Sequence, residues 1–219
     1  MQASSTDPRY DLPQSFRELS SEFARAAARA NIPVTPFHDP KLPHFSQLPE
    51  QHQLLGCQYL ARHLEVFAQL EGAKESPLDS PRFIWRALKE LGFVPSSSIF
   101  DKIDREDVVE IYDLSFNQHF RNLNFFQYVT ITLEEICSIA IPNLVEFPEG
   151  LVQTLVQCAT RVRNEGLTEP VSPGIPPYVW MERQSLGLKR GETHVKWMVP
   201  VRNATGDCVV LVVNRTKNV

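Results

Sequence analysis

The chain has 219 residues, 42% hydrophobic and 22% charged, with a net charge of −4. These proportions fit one large globular domain, or one domain with an extension, and exclude a wholly disordered chain. Seventeen prolines against nine glycines exclude collagen-like and flexible Gly/Ser repeats, and the acidic balance argues against nonspecific nucleic-acid binding.

Residues 1–13, with Ser4, Ser5, Asp7, Pro8 and Pro13, read as a mobile polar tail without a signal-peptide core. No run of about 18 apolar residues occurs, so no membrane span is expected and the cytoplasm is the expected compartment. Ser15-Phe16-Arg17-Glu18 has the form of a capping box and predicts an amphipathic helix from Phe16 to Ala30, with Leu19, Phe23 and Ala27 on one stripe. Residues 31–49 hold Pro33, Pro36, Pro40, Pro43 and Pro49 and read as a stiff, extended connection rather than a packed element. A second helix is predicted from Glu50 to Glu71, with a stripe of Leu54, Cys57, Ala61, Leu64 and Ala68 widened by Leu60 and Phe67. A third is predicted from Ser80 to Leu91, with Ser80 as cap, Pro81 in the first turn and Gly92 as the stop. Residues 14–106 therefore read as a helical region, suited to dimerisation or partner binding but thin for a large core alone.

The pattern changes at Asp107. Val108 to Asp113 predicts a strand, Leu114 to Asn117 a turn, and His119 to Arg121 a short second strand. Leu133 to Ser138 reads as a short helix with acids at its start, and Glu149 to Asn164 as a longer one. Prolines 170, 173, 176 and 177 lead into a strand from Tyr178 to Leu188. Lys189 to Glu192 reads as a turn, Val195 to Val201 as a strand, Asn203 to Asp207 as a turn around Gly206, and Cys208 to Val213 as the last strand. The fold class expected is α+β, with a five-stranded antiparallel sheet and flanking helices behind an all-helical N-terminal region.

This order resembles the PAS sensory domain over residues 107–217. Asn122 stands where such domains enter their helices through an Asn, and Glu135-Ile136 stands at their Glu-Leu step; Thr130-Ile131 replaces the usual Gly-Tyr. Lys196-Trp197-Met198-Val199-Pro200-Val201 corresponds to the Trp-containing strand, and Asn214-Arg215-Thr216 to the terminal Asp-Ile-Thr, with two departures. Asn122, Glu135, Asn214 and Thr216 are thus the expected structural motif. The resemblance implies a pocket between the sheet and the small helices, for which the candidate lining is Ile111, Phe125, Phe126, Val129, Ile136, Leu155, Trp197, Val199 and Val210. It also implies signalling, of a bacterial regulatory kind, through dimerisation or a protein partner. With only Lys217 to Val219 after the motif, the output is expected to be a partner rather than a following domain.

The chemistry sought is sparse. The predicted 149–164 helix has no His to serve as a haem axial ligand, and the cysteine motif of flavin photosensors is absent, so haem and flavin are both disfavoured. Cys57, Cys137, Cys158 and Cys208 lie among apolar neighbours, which fits buried free thiols in a reducing compartment; without a CxxC pair no zinc site is expected. No phosphate loop or serine-hydrolase motif occurs. Glu134-Glu135 and the acids from Asp104 to Asp107 read as helix-start and surface charge. Residues 183–219 carry seven basic against two acidic residues, an excess of five that reads as a solvated sheet face. The function expected is a non-enzymatic signalling module with no metal, nucleic acid or membrane partner, and a small-molecule ligand in the apolar pocket as an option. The alternatives are a small metabolite-binding enzyme using Cys158 or His194, and a ligand-free structural adaptor.

Overall fold

The computed structural model describes residues 11–95, 97–114, 117–183 and 189–219; Arg163 is described by its backbone alone. Residues 1–10 of the expected tail lie outside these, as do parts of the predicted 114–117 turn and of the Tyr178 to Leu188 strand.

Helix α1 spans Leu12–Arg29 and starts earlier than the sequence predicts. The cap is Asp11, whose carboxylate accepts from the Gln14 amide at 3.0 Å, with Pro13 in the first turn. Ser15 is then an ordinary helical residue donating to the Asp11 carbonyl, and the tail prediction fails at 11–13 because Leu12 is buried. The proline-rich connection is also a correction. Proline fixes its path, but Leu42 and Phe45 are fully buried and the Phe45 ring stacks on Phe16 at 4.0 Å.

Helix α2 spans Glu50–Gly72 and buries Cys57, Leu60, His63, Val66, Phe67 and Leu70. The buried stripe is rotated from the predicted one: Leu54 is exposed and His63 is inside. Counting a histidine as polar moved the predicted face. Helix α3 spans Ser80–Glu90 and is capped by Asp79, which frees the Ser80 hydroxyl for other work.

The sheet has six strands, not five. They are β1 (Val108–Asp113), β2 (Gln118–Arg121), β3 (Val145–Glu146), β4 (Tyr178–Glu182), β5 (Arg190–Arg202) and β6 (Cys208–Asn218). All pairings are antiparallel, in the order β2-β1-β6-β5-β4-β3. The extra strand is two residues pairing with Met181 and Glu182, too short to leave a periodic signal. The predicted turn at 189–192 is largely strand, because Gly191 lies opposite Trp180 and its missing side chain makes room for the indole. Between β2 and β4 run a 3-10 turn (Leu123–Gln127), α4 (Leu133–Ser138), α5 (Ile141–Leu144) and α6 (Leu151–Asn164).

Alternation gives the sheet two faces. Val109, Ile111, Phe120, Val199, Val201, Leu211 and Val213 share one apolar cluster with α1, α2 and α3. Glu110, Tyr112, Val210, Val212 and Asn214 belong to the opposite face, on the side of α6. There the packing is thinner: a separate cluster is built on Cys158, Val162, Met198 and Val210. Among the described residues no helix is long and apolar enough to cross a membrane.

Candidate functional site

On the α6 side of the sheet lies a cavity of about 240 Å³. Val108, Glu110 and Tyr112 reach it from β1, Arg121 from β2, Thr193 from β5, and Val212, Asn214 and Thr216 from β6. Tyr178, Trp180, Phe125, Tyr128 and Phe147 supply an aromatic wall, and Leu151, Val152 and Leu155 of α6 close it. A second cavity of about 220 Å³ continues along α6 between Val156, Ala159 and Thr160 on one side and Met198 and Val210 on the other. The two share Glu110, Tyr112, Val152, Leu155 and Val212.

The polar chemistry of the first cavity centres on Arg121, 1% exposed. Its Nε and Nη2 donate to Glu110 Oε1 at 2.7 and 2.5 Å, and its guanidinium lies 4.0 Å from the Phe125 ring centre. Burial opposes the arginine's charge, but Glu110 outweighs it and holds the pKa above the ordinary value. Gln118 Nε2 donates to both Glu110 Oε1 and Tyr112 Oη at 2.9 Å. Burial, reinforced by Glu110, raises the phenol pKa of Tyr112 and of Tyr178, so both stay neutral. Trp180 Nε1 donates to Thr193 Oγ1 at 3.0 Å, and that hydroxyl is 2.9 Å from Thr216 Oγ1. Two groups are left over. Arg121 Nη1 and Asn214 Oδ1 are buried without a hydrogen-bond partner among the described residues. Such an orphan costs about 1–3 kcal/mol, and both atoms belong to residues that line the cavity.

The structure sorts the sequence candidates into separate places. Phe125, Val129 and Leu155 line this cavity, and Val210 lines its neighbour. Ile136 lines a different hollow of about 310 Å³ between α2 and the end of α4. Ile111, Phe126 and Val199 are buried in the cluster shared with the N-terminal helices, where Phe126 meets Phe23 edge-on at 5.6 Å. Trp197 packs against that same cluster, half-buried under the Lys102 ammonium at 4.8 Å.

Of the expected structural motif, Glu135 forms a reciprocal capping box with Thr132. Asn122 does not cap the turn after it. Its Oδ1 accepts from the Val109 amide, and its Nδ2 donates to Ser80 Oγ and the Asp107 carbonyl. Asn214 and Thr216 are among the residues that line the cavity.

The acid clusters are not wholly surface charge. Glu134 is buried and accepts from the His44 and Phe45 amides, fixing the proline-rich connection to α4. Asp107 is buried between Lys196 Nζ at 2.7 Å and Arg215 Nε at 2.8 Å, so part of the C-terminal basic excess is matched internally. Cys158 and His194, the two residues offered as alternatives for an enzyme, lie apart. Cys158 is buried on α6 with its thiol pKa pushed up by burial, whereas His194 is an exposed β5 residue next to cavity-lining Thr193, with strand alternation pointing it to the other face. Among the described residues no three His, Cys, Asp or Glu side chains are placed to hold a metal.

Sequence reasoning missed Glu110, Tyr112 and Arg121. Their signal was present: in Val108-Val109-Glu110-Ile111-Tyr112 the face carrying Glu110 and Tyr112 is the polar phase of a strand covered on both sides. No protein-family model and no curated protein matches the chain.

Proposed function

We propose that the protein is a non-enzymatic, PAS-like sensor module that holds a small molecule between its sheet and α6 and signals through a protein partner or a second copy. One observation carries the reading: the 240 Å³ cavity between the sheet and α6, with its largely apolar and aromatic wall. Its volume lies just below the ~300–1,000 Å³ usual for small-molecule sites, so the occupant is small. The helical stretch between the second strand and the last three, and the capping box at Glu135, support the reading, while the sixth strand and the uncapped turn after Asn122 depart from the resemblance. The thiols support a role without catalysis: burial raises the pKa of Cys57 to about 11 and of Cys137 to about 12.

The exposed Leu54 and Leu55 of α2 offer apolar contact for a partner. Native mass spectrometry of the protein purified from its own host tests the binding half of the proposal. A retained small-molecule mass, released on denaturation, is the expected result. A bare chain that neither self-associates nor captures a partner, with or without its host's metabolite extract, overturns it.

A further inference from the structure

The shape of the two cavities under α6 restricts what they can hold; this inference rests on the cavity being a ligand site. Glu110, Tyr112, Val152, Leu155 and Val212 border both, from the sheet and from α6 alike, so the cavities abut. Along β1 the border runs from Val108 in the first cavity to Leu114 in the second, a strand path of about 20 Å. Along α6 it runs from Leu151 to Thr160, about 14 Å of helix. Volumes of about 240 and 220 Å³ spread over such a length describe an elongated space. Each volume alone lies below the ~300 Å³ at which small-molecule sites usually begin, and the two together reach it. Val156, Ala159, Met198 and Val210 make the second cavity largely aliphatic. Among the described residues, the charged side chains bordering this space are Glu110, Asp113 and Arg121. Arg121 is already held by Glu110, so the balance disfavours an anionic head group. An extended aliphatic chain, with C–C bonds of about 1.5 Å, advances about 1.3 Å per carbon, so about ten carbons match the α6 span.

We infer that one uncharged, unbranched aliphatic chain of about ten carbons lies along α6 and fills both cavities. A compact ring fills one cavity and leaves the apolar wall of the other uncovered, and a fatty carboxylate brings a negative charge beside Glu110 and Asp113.

Calorimetric titration of the full chain with hexan-1-ol, octan-1-ol, decan-1-ol, decanoate and p-xylene tests this. One alcohol should bind per chain, its affinity rising about fourfold for each methylene added up to decan-1-ol, as burial of a methylene predicts. Decanoate and p-xylene should bind more weakly than decan-1-ol. Ala159→Phe, which fills the second cavity alone, should lower decan-1-ol to the affinity of hexan-1-ol and leave hexan-1-ol unchanged. Val156→Phe, at an exposed position of the same cavity, takes its place where Ala159→Phe does not fold. An affinity that stops rising at hexan-1-ol, decanoate or p-xylene binding as tightly as decan-1-ol, or a folded variant that keeps the chain-length dependence overturns the ligand class and leaves the cavity reading standing. Failure of every probe to bind overturns both.

Discussion

His63 shows how far a single residue's role depends on where the helix around it packs. It is fully buried among Phe23, Tyr59, Phe67, Phe83 and Phe120. Its Nδ1–H donates to the Tyr59 carbonyl at 2.7 Å, and its Nε2 accepts from the Arg121 amide at 3.2 Å, joining α2 to β2. Burial lowers its pKa from 6.5 to about 4, so the folded protein holds it neutral. Between these values the unfolded chain binds the extra proton. Stability is therefore complete above pH 6.5 and declines as pH falls toward 4, with a total loss on the order of 3 kcal/mol from this group. Denaturant titrations across this range should show the slope, and His63→Gln, which cannot take up the proton, should flatten it. Asn122 is the second such residue. Asn122→Leu should cost about 3 kcal/mol, because the buried Val109 amide loses its acceptor and the Ser80 hydroxyl one of its two donors, Asn124 keeping the other; urea unfolding measures it. Neither role was legible in the sequence, since each depends on partners in distant elements.

Helices were the most legible elements, and their faces less so. Gly92, with φ of 80°, stops α3 as its position suggested, and the Thr132–Glu135 box opens α4 where the sequence placed a helix. The strands were located, but not their orientation. In β1 both phases carry apolar residues because both faces are covered, so apolarity alone could not decide which phase meets the cavity, and a choice off by one residue placed Ile111 there instead of Glu110. The same error moved Val199 to the wrong side. Helix α6 has a distinct energetic standing. It rests on a small apolar cluster above two adjoining cavities, with Val152 and Val156 exposed, whereas α2 is anchored by a continuous buried stripe. Hydrogen exchange should therefore run faster in α6 than in α2; equal protection of the two helices would contradict this.

The whole molecule is a sheet covered on both faces, and the division the sequence suggests at residue 106 is crossed by one continuous core. Val109, Ile111, Phe120, Val199 and Leu211 are buried together with Phe16, Phe23, Leu60 and Phe83. A chain shortened to residues 107–219 should expose that face and aggregate or remain unfolded by circular dichroism, whereas the full chain melts cooperatively. The helical layer thus completes the fold on one side and leaves the other for the cavity, so a ligand under α6 and a partner on α2 would meet opposite sides of one sheet. On the proposed reading the cavity under α6, and not the hollow beside α2, accepts the ligand. Intermolecular nuclear Overhauser effects from the small molecule retained from the host decide between them. Contacts to the methyl groups of Val129, Leu155 and Val212 are the predicted result; contacts confined to Leu55 and Ile136, or none, would contradict it.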